Sequence, residues 1–347
     1  MRRRIWVVLI IAILFVSIVA AVELTNRPSP ESPPPVGTFL YLWYGGPDGS
    51  SGLGTPGWNS SSYPGGGAVV DTPTLGYYVS DSNQTFAQQV SQMQRAGLSF
   101  ALISWWGPSV QGESGMINKA AHDFFTYLES TDSKFKAAIM IDAYNGSNDL
   151  SNSSLKSDYD YIYDNFVAQF KSWYFDWQSN PLLMTFNPVQ PLTDPRFTSR
   201  MIGNYACEPV DACSNDALNQ KLDWVFWDAP SQYFEAQGGT AHATNDEGSP
   251  VISSDGEVTI VPRIDSYFDS GYSGGSYLRF DPNLSEGLYQ EQWSYVIDHR
   301  SQVSLVLIYS WNEYHERTAI EPHTDFTANV NSTYLLDLTA QYIPELG

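Results

Sequence analysis

Two glutamates three residues apart, Glu313 and Glu316, stand in the run Ser310-Trp311-Asn312-Glu313-Tyr314-His315-Glu316-Arg317. A carboxyl pair can break a glycosidic bond if its members sit in unlike surroundings. One must hold a proton near neutral pH, and the other must take or give one up. The aromatic neighbours offer flat apolar faces on which a sugar can stack. Spacing alone describes an ordinary solvated pair. Position argues for a site: the pair directly follows Leu305-Val306-Leu307-Ile308-Tyr309, an apolar run that reads as a strand covered on both faces. The carboxyl end of such a strand is where α/β proteins place their chemistry.

Other side chains of suitable chemistry fall at the ends of similar runs. Trp43, Tyr44, Trp105 and Trp106 are candidates for stacking on sugar or for packing at the rim of a barrel. Alternation along a strand forbids Trp105 and Trp106 from both facing one cleft. Asp142, Asp228 and Asp265 also close strand-like runs, where they could bind sugar hydroxyls or cap loops; Tyr144 and Tyr267 are weaker candidates of the same kind. His315 would orient a glutamate or touch substrate, and Asn312 would donate its amide to a hydroxyl or fix the loop. No metal is expected, because His122, His242, His299, His315 and His323 show no ligand spacing such as His-Glu-x-x-His. No cofactor is expected either: the glycine-rich stretch through Gly65-Gly66-Gly67 lacks the Gly-Lys-Ser/Thr of a phosphate cradle.

Positioning these groups requires a large parallel sheet. Strand-like runs at 38–44, 100–106, 137–143, 181–186, 200–205, 224–228, 258–264 and 304–309 alternate with amphipathic stretches, the pattern of α/β architecture. Eight strands close a (β/α)8 TIM barrel. The run at 200–205 is the weakest of the eight, with an open sheet as the alternative. Helices are predicted over 83–96, 155–177, 287–300 and 332–343 from apolar positions recurring at three or four. In the second of these, Tyr159, Ile162, Phe166, Phe170, Trp173 and Trp177 make one stripe, read as the face against the barrel.

Composition narrows the setting. The chain has 347 residues with a formal net charge of −21, yet only 16% of them are charged. Clustered Lys and Arg for phosphate contacts are lacking, which excludes nucleic acid as a partner. The surface reads as extracellular and the protein as a monomer acting on a polysaccharide or glycan. Residues 1–4 form a basic segment and 5–22 an uncharged apolar span, a membrane signal anchor or a signal peptide. Arginines before the span predict an inside N-terminus. Residues 23–36 form a proline-rich linker, and 37–347 a single domain. The protein is thus expected outside the cell, anchored by one N-terminal helix or secreted. There the only two cysteines, Cys207 and Cys213, would form a disulfide closing a short loop.

Three segments in order then carry a family resemblance: Tyr41-Leu42-Trp43-Tyr44-Gly45; Gly76-Tyr77-Tyr78-Val79-Ser80-Asp81 leading through Arg95-Ala96-Gly97 to Ile103-Ser104-Trp105-Trp106-Gly107-Pro108; and Ser310-Trp311-Asn312-Glu313-Tyr314-His315-Glu316 with Thr318 and Ile320-Glu321-Pro322. Across most of residues 38–323 this resembles glycoside hydrolase family 99, the endo-α-mannosidases and endo-α-1,2-mannanases. The resemblance implies a (β/α)8 barrel that cleaves inside α-mannose chains with retention, through a 1,2-anhydro-sugar intermediate. It implies that Glu313 draws the proton from the sugar 2-hydroxyl and that Glu316 protonates the departing oxygen. Departures are visible: Tyr314 and Arg317 stand where the family usually has Trp and Gly, no His-Trp pair follows the first strand, and the wording around residues 258–265 differs. Arg317 is the change expected to matter, as a bulky cation beside the acid.

Overall fold

A computed structural model describes residues 32–45, 58, 69–142, 152–186, 192–203, 223–225, 234–238, 250–268 and 277–347. The N-terminal basic, apolar and most of the linker segments, the two cysteines, Tyr144 and Asp228 lie outside these residues. Among the described residues no helix is long and apolar enough to cross a membrane.

Eight parallel strands carry the core: β1 (Val36–Leu40), β2 (Phe100–Trp105), β3 (Lys136–Ile141), β4 (Asn180–Phe186), β5 (Thr198–Gly203), β6 (Trp224–Val225), β7 (Glu257–Ile260) and β8 (Leu305–Ile308). Their order in the sheet is β7-β8-β1-β2-β3-β4-β5-β6. Chain order is therefore kept around the sheet, and its ends, β6 and β7, come back into contact. This is a TIM-barrel-like fold. The run at 200–205, read as the weakest, does form a strand: Met184 pairs with Arg200 and Phe186 with Ile202.

Strands β1, β2 and β8 form because their residues are largely apolar on both faces. All four residues of β8 are buried, as are all five of β1 and all six of β2. Val36 pairs with Val306 on one side, and Gly37 pairs with Phe100 on the other. Gly37 is needed there: a Cβ on it would fall inside the Phe100 ring, which is stacked on Phe175 at 3.7 Å.

Helices α1 (Asn83–Arg95), α2 (Gly112–Ser130), α3 (Asn152–Ile162), α4 (Leu288–Asp298) and α5 (Tyr334–Tyr342) join or follow the strands. In α1, Phe86, Val90 and Met93 face inward as their spacing requires. Helix α2 is absent from the helices predicted above, although Ile117, Ala120, Ala121, Phe124, Phe125 and Leu128 form a fully buried stripe.

The predicted helix over 155–177 is a correction. The helical segment passes through a π-turn at Tyr163–Val167 and ends soon after. From there the chain is captured by the sheet: Ala137 donates its N–H to Trp173, and Phe175 donates to Ala137. Asp176–Trp177 then pairs antiparallel with the start of β4. Backbone pairing along β3 outweighs the helical periodicity of Phe170, Trp173 and Trp177.

Candidate active site

The chain leaves β8 at Tyr309 and turns at once. Ser310 Oγ accepts the Glu313 N–H at 2.8 Å, and the Thr318 N–H returns to the Glu313 carbonyl at 3.1 Å. This closed loop carries both glutamates at the carboxyl end of the strand.

Asn312 ties the loop to β1. Its Oδ1 accepts the Tyr41 N–H and its Nδ2 donates to the Tyr41 carbonyl, both at 2.9 Å. A side-chain amide thereby takes the place of a strand partner, which is why the predicted strand over 38–44 leaves the ladder after Leu40. Of the two roles open to Asn312, loop fixing is the one observed.

The glutamates are held differently. Glu313 is buried, 4% exposed, and its Oε1 accepts the His315 N–H at 2.9 Å and lies 3.2 Å from His315 Nδ1. His315 therefore orients a glutamate. Glu316 is half-buried, and its Oε2 accepts a hydrogen bond from Tyr309 Oη at 2.6 Å. Both carboxylates act electrostatically on the same two phenols. Burial drives Tyr41 well above its ordinary pKa, and the charges of Glu313, Asp142 and Glu316 add to it. Tyr309 is raised by burial, then by Glu316, Tyr41 and Glu313. Both phenols stay protonated, as donors facing acidic groups.

A third acid completes the group. Trp106 donates Nε1–H to Ser104 Oγ at 3.2 Å, and Ser104 donates to Asp142 Oδ2 at 2.9 Å. Burial raises the Asp142 carboxyl to about 6, against the Ser104 hydrogen bond and with help from Glu313. Trp43 lies between the aromatic members, 4.4 Å from Tyr41, 5.5 Å from Trp106 and 6.3 Å from His315. Its Nε1 is buried, without a well-formed hydrogen bond, and acts on the Tyr44 hydroxyl.

The structure thus brings Glu313, Glu316, Trp43, Trp106, Asp142 and His315 together, and adds Tyr41, Tyr309 and Ser104. Tyr41 was legible two residues before Trp43, where the period of a strand puts both on one side. Tyr309 was legible as the last residue of the apolar run.

Four candidates are placed elsewhere. Trp105 points into the helix layer, donating Nε1–H to Asn118 Oδ1 at 2.8 Å and lying against Tyr161 and Phe166. Its neighbour Trp106 takes the other side, as alternation demands. Tyr44 is fully buried behind the site, stacked on Trp58 at 3.9 Å, with its hydroxyl donating to the Asn312 carbonyl. Asp265 is fully buried and shared between Arg317 (2.6 Å) and Arg279 (2.8 Å). Tyr267 packs on Tyr277 at 5.0 Å with the Arg279 guanidinium over its ring.

Asp71, His323 and Asp325 offer ligand atoms within 4.8 Å of one another, a spacing that could hold a cation. Arg263 and Arg317 already supply positive charge to the same carboxylates. Burial alone would raise Asp71, but the two guanidiniums outweigh it and hold its carboxyl below the ordinary range. The donor set suits guanidinium rather than metal.

No family model matches the chain, and no curated protein matches it. Solved structures do. The fold is similar to that of the GH99 endo-α-mannosidase from Bacteroides thetaiotaomicron in complex with bis-tris-propane. That match is 18% identical, covers 90% of this chain and 96% of that chain, and has a TM-score of 0.61. A second structure of that enzyme matches at 18% identity and a TM-score of 0.59, covering 90% and 97%. A glycoside hydrolase-like protein matches at 14% identity and a TM-score of 0.56, covering 91% and 97%. Fold and site together define a TIM-barrel-like protein with paired carboxyl groups at the carboxyl end of its last strand.

Proposed function

We propose that the chain is an exported, endo-acting glycoside hydrolase that cleaves α-mannosidic linkages with retention of configuration. The observation that carries this is the closed loop at the end of β8 that holds both carboxyl groups, Glu313 against His315 at 2.9 Å and Glu316 against Tyr309 at 2.6 Å. The fold likeness to GH99 endo-α-mannosidases supports the choice of sugar, as does the resemblance of the motif residues.

Glu313 is the base. Its Oε1 is occupied by His315, so Oε2 is the oxygen offered to substrate. Glu313 takes the proton from the sugar 2-hydroxyl, and that oxygen bonds to the anomeric carbon as the glycosidic bond breaks. Glu316 gives its proton to the departing oxygen. In the second step water adds at the anomeric carbon and loses its proton to Glu316. The bond from O2 to that carbon opens, and O2 recovers its proton from Glu313. Two inversions give retention. Trp43, Trp106 and Asp142 hold the sugar. The substrate polysaccharide lies outside the cell, and the apolar span at 5–22 exports or anchors the protein.

The test is to incubate the full chain in detergent with a panel of α-mannans and unrelated glycans and to size the products. Short manno-oligomers are expected. Activity solely on another polymer would move the assignment to a different sugar. Binding without turnover would make the protein a glycan-binding barrel.

A further inference from the structure

Arg317 follows Glu316 directly and has a φ of +56°, a left-handed conformation rare for a residue with a side chain. Its side chain is fully buried. Nε and one terminal nitrogen reach both oxygens of Asp71 at 2.9 and 3.0 Å. The other terminal nitrogen reaches Asp265 at 2.6 Å, and further bonds go to Asp325 and Thr327 at 3.0 Å each. Arg263 pairs with Asp71 and Asp325, and Arg279 with Asp265. Three carboxylates thus meet three guanidiniums, and no net charge is left beside Glu316. The bulky cation expected beside the acid is therefore balanced within the cluster.

The cluster also grips the backbone around Glu316. The Asp265 N–H donates to the Glu316 carbonyl at 2.9 Å, and Arg263 Nε donates to the Arg317 carbonyl at 2.7 Å. Side chains from residues 71, 265, 325 and 327 converge on one guanidinium, which only the planar five-donor fork of arginine can satisfy at once.

We propose that Arg317 is a positioning residue: by gathering Asp71, Asp265 and Asp325 it fixes the backbone at Glu316 and aims that carboxyl at Tyr309. This rests on the assignment of Glu316 as the acid of a glycoside hydrolase. Lysine at the position keeps a charge but cannot reach all the acceptors.

The experiment compares the full-length protein with Arg317→Lys by crystallography and by kinetics on two substrates. One is an α-manno-oligosaccharide, whose leaving group needs a proton. The other is a dinitrophenyl α-mannobioside, whose leaving group does not. In R317K the Glu316–Tyr309 contact should lengthen beyond the ~3.5 Å limit of a hydrogen bond. The kcat on the oligosaccharide should fall about tenfold with KM nearly unchanged, while the first-turnover release of dinitrophenolate, which needs no acid, should be almost as before. Thr327→Val removes a single acceptor and should give a smaller loss of the same leaving-group dependence, which keeps the test open if R317K fails to fold. An unchanged contact, or equal losses on both substrates, would overturn the proposal. A wild-type protein inactive on every glycoside would refute the hydrolase assignment instead, and the crystallographic contact would still decide the role of Arg317.

Discussion

Tyr309 Oη donates a 2.6 Å hydrogen bond to Glu316 Oε2 across a loop of seven residues. The residue that follows β8 therefore holds the carboxyl group that the loop carries. Tyr309 is itself wedged against Phe39 at 5.6 Å and Tyr41 at 6.4 Å.

Tyr309→Phe keeps that packing and removes only the donor. Turnover should fall roughly tenfold, with the melting temperature little changed because the ring remains. Steady-state kinetics beside a thermal melt check this. A variant with wild-type kcat would mean that the phenol has no part in holding the acid.

Glu313→Gln and Glu316→Gln should each lower kcat by about a thousandfold or more while glycan binding persists. Dinitrophenyl substrates should rescue the first step, read as first-turnover release of dinitrophenolate, in Glu316→Gln but not in Glu313→Gln, since a good leaving group dispenses with the acid and not with the base. Rescue of the opposite variant would exchange the two roles.

Asp142 gives a pH signature. Its carboxyl titrates at about 6 in the fold, against roughly 3.9 when unfolded. Below pH ~4 it is protonated in both states and its contribution is fully present. As pH rises from ~4 through 6 the unfolded chain ionises first, so the native protein loses stability, by about 2–3 kcal/mol at most. Asp142→Asn escapes this loss. The melting temperature of the variant relative to wild type should therefore climb between pH 4 and 7, and a flat difference would show that the carboxyl is not desolvated.

Two tryptophans should separate packing from binding. Trp105→Ala empties the helix layer and should cost roughly 3–5 kcal/mol in denaturant unfolding. Trp43→Phe keeps a ring but trims the aromatic surface between Tyr41 and Trp106. It should weaken glycan binding about tenfold in calorimetry with little effect on stability. Equal effects of both changes on affinity would place Trp105 in the site after all.

Much of the fold is legible in local pattern. Runs such as Leu305–Ile308 are apolar on both faces, and only a covered parallel strand accommodates that. The location of Glu313 and Glu316 follows from the same run. Local pattern misleads at Phe170, Trp173 and Trp177, where helical spacing yields to pairing with β3 and β4. It also leaves Trp105 and Trp106 equivalent until Asn118 fixes which one turns outward.

The residues by themselves determined an eight-stranded parallel architecture and the place where two carboxyl groups leave it, because periodicity and burial are properties of neighbouring positions. Partners were decided by closure of the sheet. Asn312 meets the backbone of Tyr41 across 271 residues, and Arg317 meets Asp71 across 246. At such separations no local preference links the two side chains. They are joined because the return of β8 to β1 leaves buried polar groups that must find one another.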